Sequence, residues 1–488
     1  APLPPEQVDP VPGTPLELAR ATAAGEVVTS RLDCAGGTCQ VALSRLSGRD
    51  GSVLWTQGFA APVDRPYLLA EAVEGYLRRG YPDHRVRHGA STLQVRPEDY
   101  AEYLGLRQAF EKEQQEELPA AALESLAGIR RRSPRFLEAF VFEAEVLQHR
   151  FQVRRDPEDL ERATRLLAAA RELAPADPRP LFTQFEVDLR RQRLDRAEEV
   201  LRDLDRLQPG DPGILVLRAR LLEARGRGEE ALAAIREAVR RSPSWRHLHW
   251  QARLEQRHGD TAAARRSLEE LLRRFPDSAL GQTTLANLEL LTGSPERAAE
   301  LYERLVRDAS QTHLLSNLGL AYMLLGRYAE AEESFRQALA LSPRSPESAL
   351  NLADVHFLQG KWSEAVKLYK EVIRLVDEDP AADQAQLQAT RAQALAHLGR
   401  GSEAVAAVQQ ALRQSPDDPQ IAYAVSLVYA VVGDDTSALL NAKRALEDGV
   451  EPRWFTLPWF APLRAAPELQ AVGPWPSSPG NSSPSLRR

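Results

Sequence analysis

The chain has 488 residues, 43% hydrophobic and 27% charged, with a formal net charge of −7 and only 6% aromatics. That is an ordinary soluble balance, and the negative net charge speaks against a general binder of nucleic acid or anionic membrane. No apolar run approaches the ~18 residues of a membrane-spanning helix, and the low aromatic content suits Ala/Leu helices better than a β-rich core. The chain opens on Ala1, and its single Met is Met323. The expectation is an end left by processing, with plain removal of an initiator Met as the alternative.

Residues 1–13 carry five prolines and read as a stiff extended spacer. Residues 14–96 read as a small α+β domain. Thr14 is placed to cap a helix over 15–25. Alternating strands follow over 27–34, 39–47 and 52–59, with turns at 35–38 and 48–51, then a helix over 66–79 and a further strand over 91–95. Trp55 is expected in the core of this meander. Cys34 and Cys39, in CAGGTC, are the only cysteines. Gly36 and Gly37 supply the positive φ that a tight hairpin turn needs, so the two thiols could face each other as a disulfide, which implies an oxidising compartment. Two free thiols in a reducing compartment, or a zinc site completed by His84 and His88, are the alternatives. The wide spacing of the ligand pairs disfavours zinc.

From residue 97 the chain reads as helical to about 452. Two stretches superimpose at a spacing of 34: NLGLAYMLLGRYAEAEESFRQALALSP over 317–343 and NLADVHFLQGKWSEAVKLYKEVIRLVD over 351–377. Gly319 matches Ala353, Gly326 matches Gly360, Tyr328 matches Trp362, Ala331 matches Ala365, and Phe335 matches Tyr369. The physical reading is a helix-turn-helix unit stacked on copies of itself. Gly319 and Ala353 allow close helix approach, Gly326 and Gly360 end the first helix (A) in a left-handed residue, and Pro343 stops the second (B). Turn glycines at 226, 259, 293, 326, 360, 399 and 433 and helix-B alanines at 197, 231, 264, 298, 331, 365, 404 and 438 set the register. The count is about ten repeats: two degenerate ones over 97–134 and 135–177, then 178–211, 212–244, 245–278, 279–311, 312–345, 346–384, 385–418 and 419–452. An aromatic segment over 453–472, with Trp454, Phe455, Trp459 and Phe460, is expected to cap the last helix B. Residues 473–488 read as a disordered tail.

These residues resemble the tetratricopeptide repeat (TPR) family. The resemblance implies an α-solenoid, a right-handed superhelix of about ten helical hairpins behind a small α+β domain, whose concave helix-A face holds a polypeptide partner. Carried onto this sequence, that face includes Arg179, Arg190, Arg220, Arg246, His249, Arg253 and Arg257 early in the array, and Asn317, Leu320, Met323, Asn351, Phe357 and Tyr423 later. A partner with an acidic part and an apolar anchor would match. The plain alternative is that the arginines solvate a helix face and the apolar residues pack between repeats. Ser316, Leu320 and Glu347 stand where a chaperone-tail clamp needs Lys and Asn, which argues against that subtype; Asn317 and Asn351 make at most a two-step asparagine ladder.

The segment GRDGSVLWTQGF over 48–59 resembles the TolB-amino-terminal-like (FlgO-like) sheet ahead of TPR arrays in bacterial serine/threonine kinases, adenylate cyclases and CadC-like regulators. That resemblance implies the extracytoplasmic or periplasmic sensor region of a membrane-bound signalling protein; a free-standing periplasmic or cytosolic adaptor is the alternative. No phosphate-binding glycine loop, GxGxxG, HExxH or GxSxG occurs, so neither an enzyme nor a cofactor is expected. The scattered His249, His313, His356 and His397 read as structural.

Overall fold

A computed structural model describes residues 14–16, 19, 24–62, 72–73, 75–77, 79–81, 95–112, 120–154, 156–308, 310–379, 384–463 and 466–470. The expected proline-rich spacer, most of the 15–25 helix, the 91–95 strand apart from Val95, His84, His88 and the tail over 473–488 lie outside them. The chain divides into two compact units, Ala1–Ser278 and Ala279–Arg488.

In the first unit, β1 (Glu26–Ala35), β2 (Thr38–Ser47) and β3 (Val53–Pro62) form an antiparallel meander in the order β1-β2-β3. Gly36 and Gly37 take φ of 57° and 82°, the left-handed pair that a two-residue hairpin turn requires. This turn sets Cys34 opposite Cys39, and their sulfurs are bonded to each other. Neither thiol is therefore free to ligate zinc. Cys39, Val41 and Leu43 alternate onto the buried face, where Trp55, Phe59, Val73, Tyr76 and Leu77 cover them. Trp55 is thus a core residue.

Helical hairpins follow: α1 (Pro97–Lys112) with α2 (Ala120–Arg132), α3 (Leu137–Arg154) with α4 (Pro157–Leu173), α5 (Arg179–Arg190) with α6 (Leu194–Leu207), α7 (Pro212–Ala224) with α8 (Gly228–Arg241), and α9 (Trp245–Arg257) with α10 (Thr261–Arg274). The second unit continues with α11 (Ala279–Thr292) and α12 (Pro295–Asp308), α13 (Thr312–Leu324) and α14 (Tyr328–Leu341), α15 (Pro346–Leu358) and α16 (Trp362–Asp377), α17 (Ala385–His397) and α18 (Gly401–Gln414), and α19 (Pro419–Val432) and α20 (Asp435–Glu447). Two 3-10 turns (Pro452–Thr456 and Pro458–Phe460) and the short α21 (Pro467–Gln470) end it. About ten hairpins were expected from the glycine and alanine spacing, and the described residues form ten.

Local chemistry explains several boundaries. Helices α7, α15 and α19 start with an Asp or Ser cap and a proline: Asp211, Ser345 and Asp418 accept from the backbone N–H of Gly213, Ser348 and Gln420, while Pro212, Pro346 and Pro419 take the first turn, where a missing N–H costs nothing. Gly226, Gly259, Gly326, Gly360, Gly399 and Gly433 end their A helices at φ between 71° and 92°. Two turns depart from that expectation. Gly293 is not left-handed, and in the 178–211 repeat the left-handed place falls to Gln192 at φ 56°. The eight helix-B alanines are at most 1% exposed, because the neighbouring helix crosses there with no room for a larger side chain.

Gly319 has the same cause. A Cβ added there would lie 2.5 Å from the Phe335 ring, which is itself fully buried and cannot retreat. Gly319→Ala is therefore expected to lower the unfolding free energy by about 1–3 kcal/mol despite alanine's better helix propensity. Urea unfolding followed by circular dichroism checks this; an unchanged or raised midpoint would show that the α13–α14 contact is looser than described.

The two degenerate hairpins add buried carboxylates, and the second still keeps a fully buried helix-B alanine, Ala163. Glu143 on α3 is fully buried between Arg130 on α2, whose Nε stands 2.5 Å away, and Arg162 on α4. Asp99 on α1 accepts from Arg132 Nε and Ser133 Oγ, both at 2.6 Å, and Asp159 on α4 accepts from Arg150 Nε at 2.9 Å.

Candidate partner-binding faces

In the first unit, α5, α7 and α9 repeat at one spacing, so equivalent side chains of successive A helices become neighbours. Most of the early arginines expected on a partner-binding face are already matched within the chain. Arg179 pairs with Asp177 at 2.7 Å and with Glu138 of α3 at 2.9 Å. Arg190 stands beside Gln152 of α3, whose amide oxygen, turned to satisfy both groups, accepts from it at 2.7 and 2.9 Å. Arg220 makes a forked pair with Glu186 of α5, and Arg257 pairs with Glu223 of α7. A uniformly basic wall is thus corrected to a ladder of ion pairs running from one A helix to the next. Sequence reasoning gathered the arginines and missed Glu138, Glu186 and Glu223. For Glu186 and Glu223, the shared offset of 34 from Arg220 and Arg257 was the available signal.

Arg253 stands apart. Among the described residues no carboxylate pairs with it. Its guanidinium lies 5.0 Å from the Trp250 ring centre, and Arg220 lies 4.8 Å from the same ring. Burial, together with the nearby Arg257 and Arg220 cations, pulls the Arg253 pKa down, with Glu223 opposing. His249, one turn away, is held neutral, its pKa lowered to about 4 by burial and by Arg253. Arg246 stacks over Trp245, 5.1 Å from the ring centre. The arrangement is a half-buried cation on an aromatic platform with too few anions around it, and a carboxylate from elsewhere would complete it.

The second unit differs. The residues expected there as a free apolar wall are covered by the chain itself. After Gly449, which turns at φ 97°, the segment 452–463 runs back along the helix-A side. The Pro452–Thr456 turn meets α13, and the Pro458–Phe460 turn meets α19. Tyr423 on α19 packs against Phe455 and Phe460, with ring centres 5.4 and 5.6 Å away, and its hydroxyl donates to the Trp454 carbonyl at 3.3 Å. Met323 is buried in the same cluster as Phe455, Leu457, Trp459 and Phe460, and Leu320 packs at its edge. These aromatics lie against A helices and share one buried cluster with Ala438, Ala442 and Ala445 of α20, the last helix B, which α21 also meets. Asn317 is also engaged internally, donating to Asn287 Oδ1 at 3.1 Å and to the Tyr302 hydroxyl at 3.2 Å, so it is not a ladder rung open to a ligand. Asn351 is half-buried on α15.

Beneath the segment lies a buried polar pair. His397 on α17 has no exposed side-chain surface and sits among Tyr369, Phe357 and Trp459, with ring centres 4.8, 4.9 and 5.9 Å away. Its Nε2 is 3.7 Å from Asp354 Oδ1, and Asp354 accepts from Tyr369 Oη and Gln393 Nε2, both at 2.7 Å. An ion pair could be drawn here. The aromatic box makes two charges costly, so both groups are neutral at pH 6: burial lifts Asp354 to about 7 and lowers His397 to about 3. Among the described residues no group of His, Cys, Asp or Glu is placed to hold a metal, and no helix is long and apolar enough to cross a membrane.

Two tetratricopeptide repeat models match, one over 308–378 and 344–417, the other over 182–244, 251–312 and 389–449. Together they span more than half of the chain. It belongs to the tetratricopeptide repeat family. Among curated relatives, it is 29% identical over 144 residues to the human protein O-mannosyl-transferase TMTC1, covering 29% of this chain and 16% of that one. It is 31% identical over 184 residues to the cytochrome c-type biogenesis protein CycH of Rhizobium meliloti, covering 37% and 44% respectively. The chain thus spans less than half the length of either relative. A tetratricopeptide repeat protein from Parabacteroides merdae aligns at 20% identity with a TM-score of 0.40, covering 49% of this chain and 94% of that one. Stacked repeats of this family are scaffolds for protein–protein interaction, and the hairpins here carry no catalytic constellation among the described residues.

Proposed function

We propose that this tetratricopeptide repeat protein holds an acidic polypeptide segment on the helix-A face of its first unit, with Arg253 as the anchoring cation. The observation that carries this reading is Arg253 itself: a cation on the Trp250 ring, short of counter-charge, while its neighbours Arg220 and Arg257 are paired within the chain. In the second unit, segment 452–463 lies over α13, α17 and α19. The test uses fluorescent acidic peptides against the full chain. Arg253→Glu is expected to raise Kd at least tenfold, as the loss of one charge-assisted hydrogen bond implies. Arg220→Glu is a poorer probe, since it also sets two carboxylates against each other at Glu186. Equal binding of acidic peptides by wild type and Arg253→Glu would overturn the reading.

In the cell we place this module as the sensing or scaffolding region of a bacterial membrane-bound signalling protein, on the extracytoplasmic side. The bonded Cys34–Cys39 pair and the proline-rich run over 1–13 support that placement. A free-standing adaptor in complex assembly is the second reading, favoured by the similarity to a protein named for cytochrome c-type biogenesis. The genomic sequence immediately before Ala1 separates them: a membrane helix behind a kinase or cyclase domain supports the first, and a signal peptide or an initiator Met supports the second.

A further inference from the structure

We propose that the helix-A face of the second unit is a peptide-binding groove that the chain's own segment 452–463 occupies as a built-in competitor. Its foreign ligand is a polypeptide segment that seats an aromatic pair on Tyr423 and brings a hydrogen-bonding side chain to His397. This site is independent of the Arg253 face.

The occupant shows what the groove accepts. Its sequence, PRWFTLPWFAPL, holds two Trp-Phe pairs five residues apart with Pro458 between them. Phe455 and Phe460 are fully buried, and their ring centres are 4.8 Å apart across from Tyr423. The segment, two 3-10 turns joined at Leu457, reaches A helices of separate hairpins, α13, α17 and α19. At its leading end, Arg453 lies near enough to Glu296 of α12 to help lower that carboxyl's pKa, after hydrogen bonds to Ser294 and the backbone.

The fit is incomplete, and this distinguishes a competitor from a permanent strap. Trp459 Nε1, Arg453 Nε and both ring nitrogens of His397 are buried with no hydrogen-bond partner among the described residues. A buried donor left unmade is a standing cost. A ligand that keeps the aromatic pair but sets a polar side chain where Trp459 sits would satisfy His397 and so hold the groove better. The tether raises the local concentration of the chain's own segment to the millimolar range, so only such a better-matched ligand displaces it.

The test uses the full chain and a fluorescein-labelled peptide of residues 452–463. Wild type is expected to bind it weakly, and Phe455→Ala with Trp459→Ala, which loosens the resident copy, at least tenfold more tightly. A second form guards against simple unfolding of that variant: the native sequence with a protease site inserted between Asp448 and Glu451. After cleavage, excess labelled peptide should exchange for the native segment, and the same peptide with Trp459 replaced by Gln should exchange at lower concentration. Equal binding by wild type and the double variant, or a cleaved segment that never exchanges, would overturn the proposal. Conversion to a dimer on loosening the segment would also overturn it, in favour of exchange between two copies of the chain.

Discussion

Replacing Arg130 and Arg162 together by Met is expected to lower the unfolding free energy of the first unit by about 3–5 kcal/mol. Glu143 has no exposed surface, and these two arginines, from α2 and α4, are its compensating charges. Removing both leaves a carboxylate without water or cation. It would then unfold the hairpins or take up a proton, and either route costs stability. Removing one should cost less, because the other arginine can still neutralise the carboxylate. The informative third variant adds Glu143→Leu to the double change. If uncompensated charge is the cause, most of the loss returns, since a packed apolar triad can match a buried ionic one. Urea unfolding followed by circular dichroism measures all three against Arg206→Met, a change at an arginine that is 75% exposed. A double variant no less stable than that control would show that Glu143 is not the clamp described.

The second large effect is a pH dependence that stays hidden until one partner is removed. Between about pH 4 and 6.5 the folded chain holds a proton on Asp354, lifted to about 7, and none on His397, lowered to about 3. The unfolded chain does the reverse, with ordinary values of 3.8 and 6.5. Each state holds one proton on the pair, so the pair adds no slope to stability across that window. His397→Phe removes the histidine's share. The folded state then holds one proton more than the unfolded, and stability falls as pH rises from about 4 to 7, by about 1.4 kcal/mol per pH unit. Asp354→Asn leaves the histidine alone. The unfolded state then holds the extra proton, and stability falls as pH drops below 6.5, with a similar slope. Urea midpoints at pH 4.5, 5.5 and 6.5, each taken as a difference from wild type, check both signs. Parallel curves for the two variants would mean that the pair is ionised in the fold.

The sequence was most informative where the controlling forces are local. A left-handed residue after helix A and a small residue where helices cross are demands of sterics over a few ångströms. Glycines at a spacing of 33 or 34 and alanines beside them therefore fixed the hairpin register before any packing was considered. The same reasoning placed the Gly36–Gly37 turn and set Cys34 across from Cys39. It failed at Gln192, an exposed non-glycine residue in the left-handed region where the Arg193 N–H closes the turn on the Asp188 carbonyl, and at Gly293, which does not use that region.

Pairing between distant helices was harder to read in the residues. Arg220 and Arg257 read as charges on a groove wall, and only the repeat offset of 34 pointed to Glu186 and Glu223 one hairpin back. The aromatic run after Pro452 could be recognised as needing cover, but not what would cover it. That depended on the packing of the second unit, which brings α13, α17 and α19 within reach of one short segment. By itself the sequence determined the hairpins, their number and their order, since these follow from the backbone's own steric rules. Only the tertiary structure decided which charges are spent within the chain and which face is already occupied, since burial and pairing are properties of side chains brought together from far apart.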